Sequence, residues 1–217
     1  MAPEATNHER IYRGIKADYL DGRFVVGQRI DMTMIADRHR VSLTPVRDAM
    51  HRLAGEELME AHMDGGFRIL IPDRERLFHL YAWNAHHIQS AVNASTEDAL
   101  VRKMAEFAAN PLPPSDLLRV HHVAAFFHAL VTATGNLEYA AAVERSNERL
   151  AYVRLAEMSY FRRPDRELAQ LVNPVTNNVH LNLRRRLWSY HRRRIEHVTA
   201  ISNRVTADST DGNGAVF

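Results

Sequence analysis

One stretch constrains this chain more than any other: Val41-Ser42-Leu43-Thr44-Pro45-Val46-Arg47-Asp48-Ala49-Met50-His51-Arg52-Leu53. Val46, Ala49, Met50 and Leu53 recur at i, i+3, i+4 and i+7, which makes one apolar stripe along a helix. Thr44, Arg47, Asp48 and His51 fall on the opposite face. Pro45 suits a first helical turn, where its missing N–H would have had no partner. Thr44, biased away from the α region by the proline after it, is the expected N-cap. A shorter helix is expected from Met32 to His39, with Ile35 and Ala36 inward, and Arg40-Val41-Ser42 makes the turn between the two. Helix, tight turn and a second helix with a polar outer face form the helix-turn-helix plan, whose second helix enters the major groove of DNA.

The flanks extend this plan. Thr6 and Glu9 have capping-box spacing, and the helix they start reaches about Leu20 with Ile11, Ile15 and Tyr19 inward. Asp21-Gly22-Arg23 turns the chain into a short extended piece over Phe24 to Ile30. Leu58 to His62 and Phe67 to Ile71 read as two strands around Met63-Asp64-Gly65-Gly66, where glycine supplies the positive φ of a hairpin turn. Pro72 marks a domain boundary and Asp73 can cap the next helix. Beyond it only helices are expected, at 74–93, 96–109, 116–134, 137–161, 165–172 and 176–203. Breakers lie at Asn110-Pro111 to Pro114, Gly135-Asn136 and Arg163-Pro164. The fold class is therefore mainly α: an N-terminal winged helix-turn-helix with a small β-hairpin wing over 7–72, a C-terminal all-α helical bundle over 73–205, and a disordered tail over 206–217.

Composition bounds the function. The 217 residues are 46% apolar and 25% charged, a water-soluble profile that fits a cytoplasmic location. No apolar run reaches the roughly 18 residues a membrane span needs. The start, Met1-Ala2-Pro3-Glu4, lacks a signal-peptide pattern, and the absence of cysteine removes disulfides and thiolate chemistry. Net charge is only +2, and residues 1–72 hold ten Arg plus Lys against eleven Asp plus Glu. A protein that coats DNA without sequence choice needs more positive charge than that. The basic signal is local instead: Arg38, Arg40, Arg47, Arg52 and Arg68 lie in or beside the helix-turn-helix and the wing.

Gly27-Gln28-Arg29-Ile30, Met34-Ile35-Ala36, Val41-Ser42, Pro45-Val46-Arg47-Asp48-Ala49-Met50, Leu53, Glu57-Leu58 and Gly65-Gly66-Phe67 resemble, in order, the winged-helix domain of the GntR family of bacterial transcription regulators. The remainder is similar, more loosely, to the all-helical effector domain of the FadR branch. The resemblance implies a homodimer on double-stranded DNA at a short inverted repeat. It also implies a small-molecule effector such as an organic acid in the second domain, often around a metal, and repression as the habitual outcome.

Within that frame Arg38, Arg40, Ser42, Leu43, Thr44, Arg47, His51, Gly65 and Gly66 are the expected DNA-contacting residues. Arg47 leads, because an arginine on the outer face can bond a phosphate or a guanine edge. Leu43 departs from the family, which usually has a polar residue there; it can meet a thymine methyl or simply pack. Gly65 and Gly66 serve hairpin geometry, close approach to DNA, or both. Arg184-Arg185-Arg186 and Arg192-Arg193-Arg194 read as a solvated helix face or as dimer contacts.

The effector pocket is expected around Ala124, His128, His180 and His191. The family's metal set is an Asp and a His four apart plus two later histidines. Phe126-Phe127-His128 followed by Thr134-Gly135-Asn136 matches the histidine segment, yet Ala124 stands where the Asp belongs. His180 and His191 are eleven residues apart, about 16 Å along a helix, too far to share an ion. A tightly bound metal is therefore not expected, though a divalent ion held weakly through His128 and His191 is compatible with the residues. The rival reading is a metal-dependent helical-bundle enzyme, which lacks a carboxylate-rich inward constellation and a nucleophile motif.

Overall fold

The computed structural model describes residues 3–63, 65–109 and 111–210. Two compact units divide the chain: Met1–Ile71 with Val205–Phe217, and Pro72–Arg204. No helix among the described residues is long and apolar enough to cross a membrane.

In the first unit α1 (Pro3–Leu20) packs on α3 (Leu43–Gly55), and α2 (Met32–His39) closes the group. Ile11, Ile15, Ile35, Val46, Met50, Leu53 and Leu58 are fully buried, which is the expected 3.6-residue stripe of each helix meeting the others. α1 begins ahead of the Thr6 capping box, at a proline whose fixed φ suits the first turn. The Asp31 carboxylate caps α2 by accepting from the N–H groups of Thr33 at 2.8 Å and Met34 at 3.2 Å. Arg40 ends α2 in the left-handed region at φ 54°, where the Val41 N–H donates to the Ala36 carbonyl at 3.0 Å.

The N-cap of α3 is Ser42, not Thr44. Leu43, Thr44 and Pro45 then occupy the first turn, where Pro45 still forfeits no helical hydrogen bond because its N–H has no partner there. Ser42 makes no side-chain cap bond. One of the two N–H groups that an N-cap side chain normally accepts from is missing at Pro45.

β1 (Met59–Ala61) and β2 (Phe67–Ile69) pair antiparallel with Met59 opposite Ile69 and Ala61 opposite Phe67. Ile30 adds a bridge to Phe67 and is the part of the expected 24–30 piece that pairs. Gly65 and Gly66 carry φ of 80° and 85°, as the hairpin turn requires; Asp64, read as part of that turn, lies outside the described residues.

The second unit is a helical bundle: α4 (Arg74–Ala94), α5 (Glu97–Ala108), α6 (Asp116–Thr132), α7 (Leu137–Arg149), α8 (Ala151–Tyr160), α9 (Pro164–Val172) and α10 (Val179–Glu196), followed by α11 (Val198–Thr210). Its core centres on Ile88, Phe126, Phe127, Leu130, Leu183 and Leu187. The single helix expected over 137–161 is interrupted at Leu150, although the ladder continues from Leu150 N–H to Ser146 O and from Arg154 N–H to Leu150 O. The helix expected over 176–203 starts after Asn178, which sits at φ 48°, and breaks at His197. Residues 206–210, expected to be disordered, continue α11; residues 211–217 lie outside the described residues.

Candidate nucleic-acid interface and a buried polar centre

The outer face of α3 carries Thr44, Arg47, Asp48 and His51, all exposed, with Leu43 43% exposed at its start. The stripe on the other face is what orients them: Val46, Met50 and Leu53 are locked in the core, so Arg47 and His51 must face out. His51 also touches the hairpin edge-on through Phe67, ring centroids 5.0 Å apart, which ties α3 to the wing.

Charge in this unit is sorted by location. Asp18 takes Arg23 at 3.2 Å, Arg38 at 3.3 Å and His39 at 3.1 Å. Glu9 takes Arg52 at 2.7 Å, and Glu56 takes Lys16 at 3.0 Å and the Tyr12 hydroxyl at 2.7 Å. Arg52 also lies over the Tyr12 ring at 3.5 Å. Acids on and near α1 thus neutralise bases of the scaffold. Among the described residues Arg29, Arg40 and Arg47 have no carboxylate partner, and all three are exposed. The near-zero net charge hides cations that no carboxylate answers, and Arg10, which donates to Asn7, is another. Arg38, expected to be free for DNA, is tied to Asp18. His39 is held against α1 so closely that a Cβ on Gly14 would come within 2.7 Å of its ring.

Arg29 was not singled out by sequence reasoning. Its guanidinium covers the wing turn, and a Cβ on Gly66 would come within 2.6 Å of its Nε. No periodicity joins residue 29 to residue 66; only folding of the hairpin brings them together.

In the second unit the four expected pocket residues do not converge as a set. His180 is not an inward residue: its ring bonds the Ser95 carbonyl at 2.9 Å and Glu97 at 3.3 Å, because the first turn of α10 faces the start of α5. Ala124 and His128 are half-buried on α6. His191 is 2% exposed, lies stacked on Phe127 at 5.4 Å, and has Nδ1 2.8 Å from the Leu187 carbonyl and Nε2 3.0 Å from Asn84. Burial pushes its pKa down to about 3 against the Leu187 hydrogen bond, with the charges of Arg194 and Arg154 adding to the shift. The ring is neutral. The neutral ring has one N–H, which Nδ1 gives to the Leu187 carbonyl; Nε2 carries no proton and is covered by the Asn84 amide, so it is not open to a divalent ion. Among the described residues no group of three or more His, Asp or Glu could hold a metal.

Around His191 lies a polar centre that the sequence did not disclose. Arg194 is fully buried, which corrects its assignment to a solvated arginine face: it follows Leu187, Tyr190 and His191 on the inward side of α10. Its Nε donates to Glu157 at 2.8 Å, and its two terminal nitrogens to Glu167 at 2.9 and 3.0 Å. The Tyr81 hydroxyl donates to the other Glu157 oxygen. Burial alone would favour the neutral form of Arg194, but Tyr190, Glu157 and Glu167 outweigh it and hold its pKa well above the usual value. Tyr81 is raised by burial first and then by the Glu157 charge. Arg154, also buried, donates to Asn147 at 3.0 Å.

Comparison with known proteins bears on both units. Residues 7–69 match the model of the bacterial regulatory proteins of the gntR family. The Nta operon transcriptional regulator of Aminobacter aminovorans is 27% identical over 139 residues, covering 60% of this chain and 65% of that protein, just under two thirds of its length. Among solved structures, a GntR transcriptional regulator from Rhodococcus sp. RHA1 superposes with a TM-score of 0.73 at 16% identity, covering 90% of this chain and 98% of that one. McbR/YncC of E. coli follows at 0.66 and 15%, covering 92% and 99%. These two likenesses establish the fold of both units, a winged helix-turn-helix and a helical bundle. With its ordered wing, its outward-facing α3 and this match over residues 7–69, the chain carries the DNA-binding helix-turn-helix domain of the GntR family.

Proposed function

We propose that this protein is a sequence-specific transcription regulator, acting as a homodimeric repressor whose operator affinity is set by a small metabolite in the helical unit. The observation that supports it most is the sorting of charge in the first unit. Scaffold bases are neutralised by Asp18, Glu9 and Glu56, while Arg40 and Arg47 on the reading face and Arg29 on the wing are left free. Free arginines on one face are what a phosphate backbone and guanine edges recognise. In this reading Arg47, Thr44 and His51 meet base edges and Leu43 meets a thymine methyl. Ser42 and Arg40 stand at the backbone, while Arg38 is held by Asp18. Gly65 and Gly66, with Arg29 above them, bring the wing close to the minor groove. One such head covers few base pairs, so two related by a two-fold axis and an inverted repeat are needed for specificity. The metabolite acts by favouring one placement of the two heads over another.

The test is selection of bound sequences from a random double-stranded library by the full chain, followed by competition with scrambled DNA at matched salt. Enrichment of an inverted repeat that outcompetes its scrambled form by at least about 10³-fold supports the reading. Binding that ignores sequence refutes it.

A further inference from the structure

The wing holds a cation that its own hairpin sequence does not supply. Ile30 donates its N–H to the Phe67 carbonyl at 2.8 Å, so the chain just before α2 runs beside the start of β2. That bridge delivers Arg29 to the hairpin turn. The turn itself is closed by Gly65 N–H to His62 O at 2.9 Å and His62 N–H to Gly66 O at 3.0 Å. A Cβ on Gly66 would come 2.6 Å from the Arg29 Nε and 3.3 Å from its Cζ and a terminal nitrogen. On Gly65 it would meet only a terminal nitrogen, at 3.9 Å. Both glycines supply the positive φ of the turn, but Gly66 is also the bed on which the guanidinium rests. Arg29 is exposed, and among the described residues no acid or hydrogen-bond acceptor meets its guanidinium. A guanidinium seated on backbone with no acceptor keeps its N–H donors available to something outside the chain. Met63, in the same turn, is wholly exposed.

We propose that Arg29 is the base-discriminating side chain of the wing: it enters the minor groove next to the major groove that α3 occupies, and it favours A·T pairs there. This rests on the reading of the protein as a sequence-specific DNA binder and adds a second reading group to each head. The minor groove of an A·T run is narrow and strongly negative, which draws a cation in. Its floor offers only acceptors, adenine N3 and thymine O2, whereas a G·C pair adds the guanine 2-amino donor. Arginine carries donors and no acceptor, so that amino group opposes it. A guanidinium is also less strongly hydrated than an ammonium and gives up less water on entry. Seating on Gly66 restricts the side chain before DNA arrives, which lowers the ordering cost of binding. Met63 adds an apolar group at the same tip, and minor-groove proteins commonly join cations to apolar wedges. A contact from Arg29 to phosphate alone would bring charge without base preference, and the experiment separates the two.

The full chain first selects its inverted repeat from a random double-stranded library. The pairs beside each half-site are then set to A·T, G·C or inosine·cytosine, and affinities are compared at matched salt. Inosine lacks the 2-amino group, so its pair with cytosine resembles A·T in the minor groove and G·C in the major groove. The parent should bind the A·T and inosine·cytosine sites alike and the G·C site about ten-fold more weakly. Arg29→Ala should melt with the parent and select the same half-sites, yet bind all three flanks alike. Its salt slope should be shallower by about 2 per dimer, one for each head. Arg29→Lys should recover the slope and part of the discrimination, since it keeps the charge on a more strongly hydrated group. Weak binding of the inosine·cytosine site would place the preference in the major groove and overturn the proposal. So would flank discrimination that survives Arg29→Ala, or a melt of that variant several degrees below the parent, which would make Arg29 a support of the hairpin. A shallower slope in Arg29→Ala with no flank discrimination in the parent would mark a phosphate contact, with the same consequence. A selected inverted repeat with indifferent flanks removes Arg29 as a reader and leaves the regulator reading standing. A library that yields no preferred sequence sinks both.

Discussion

Acidification should destabilise the helical unit through His191, by an amount the structure fixes. The native ring is buried and neutral with a pKa of about 3, whereas an unfolded histidine titrates near 6.5. Below pH 6.5 the unfolded chain takes up a proton that the native ring refuses. Stability from this group is therefore complete above pH 6.5 and falls as pH drops from 6.5 toward 3. Each pH unit inside that window costs about 1.4 kcal/mol, so the loss between pH 7 and pH 4.5 is about 2.5–3 kcal/mol. At pH 4.5 the native ring is still almost wholly unprotonated, so the full loss is felt there. Against a total stability of roughly 5–15 kcal/mol this is a large fraction. The perturbation is His191→Gln, which cannot titrate but keeps an amide that can hydrogen-bond. Urea unfolding of both proteins, followed by tryptophan fluorescence from pH 7 to 4.5, isolates the term, since the other histidines cancel in the difference. The variant should be less stable at pH 7, and the gap should close by about 2.5–3 kcal/mol at pH 4.5. A gap that stays constant with pH would refute the neutral, desolvated ring.

Four further outcomes are expected. Arg47→Ala should weaken operator binding by about 1–3 kcal/mol with an unchanged circular dichroism spectrum; intact affinity at matched salt would remove Arg47 from the interface. With Arg29, Arg40 and Arg47 as the free cations of each head, a dimer should show log K falling with log salt at a slope of about −5; a slope near zero would contradict the charge sorting. Arg194→Met should cost about 3–5 kcal/mol in urea unfolding, because it strands the Glu157 charge in the core; a neutral effect would refute Arg194 as the buried partner of Glu157 and Glu167. Chelator treatment should leave melting temperature and elemental content unchanged in protein purified without a metal-binding tag; near-stoichiometric zinc, nickel or iron lost on mutating His128 would count against the closed His191 arrangement.

The sequence alone determined the helix-turn-helix and its wing. Those elements are local: a 3.6-residue stripe over Val46 to Leu53, an inward pair in Ile35 and Ala36, and two glycines between β-prone runs each declare themselves within a dozen residues. It erred at the start of α3 by two residues, since a proline is equally unpenalised anywhere in the first turn. It also joined α7 to α8, because the hydrogen-bond ladder runs through the interruption at Leu150.

What only the tertiary structure decided is the partnership of charges. Arg38 and Arg40 are two residues apart and alike in the sequence, yet Asp18 claims the first and not the second. Arg192, Arg193 and Arg194 read as one run, yet Arg194 alone is fully buried, at the inward position that follows His191. Its partner Glu157 is 37 residues away, and Tyr81 joins from 76 residues before Glu157. A charge is a surface ornament or a buried strut according to the acid that meets it across the fold. Pairing at such separations leaves no periodic trace, because the spacing is set by the packing of helices and not by the pitch of any one of them.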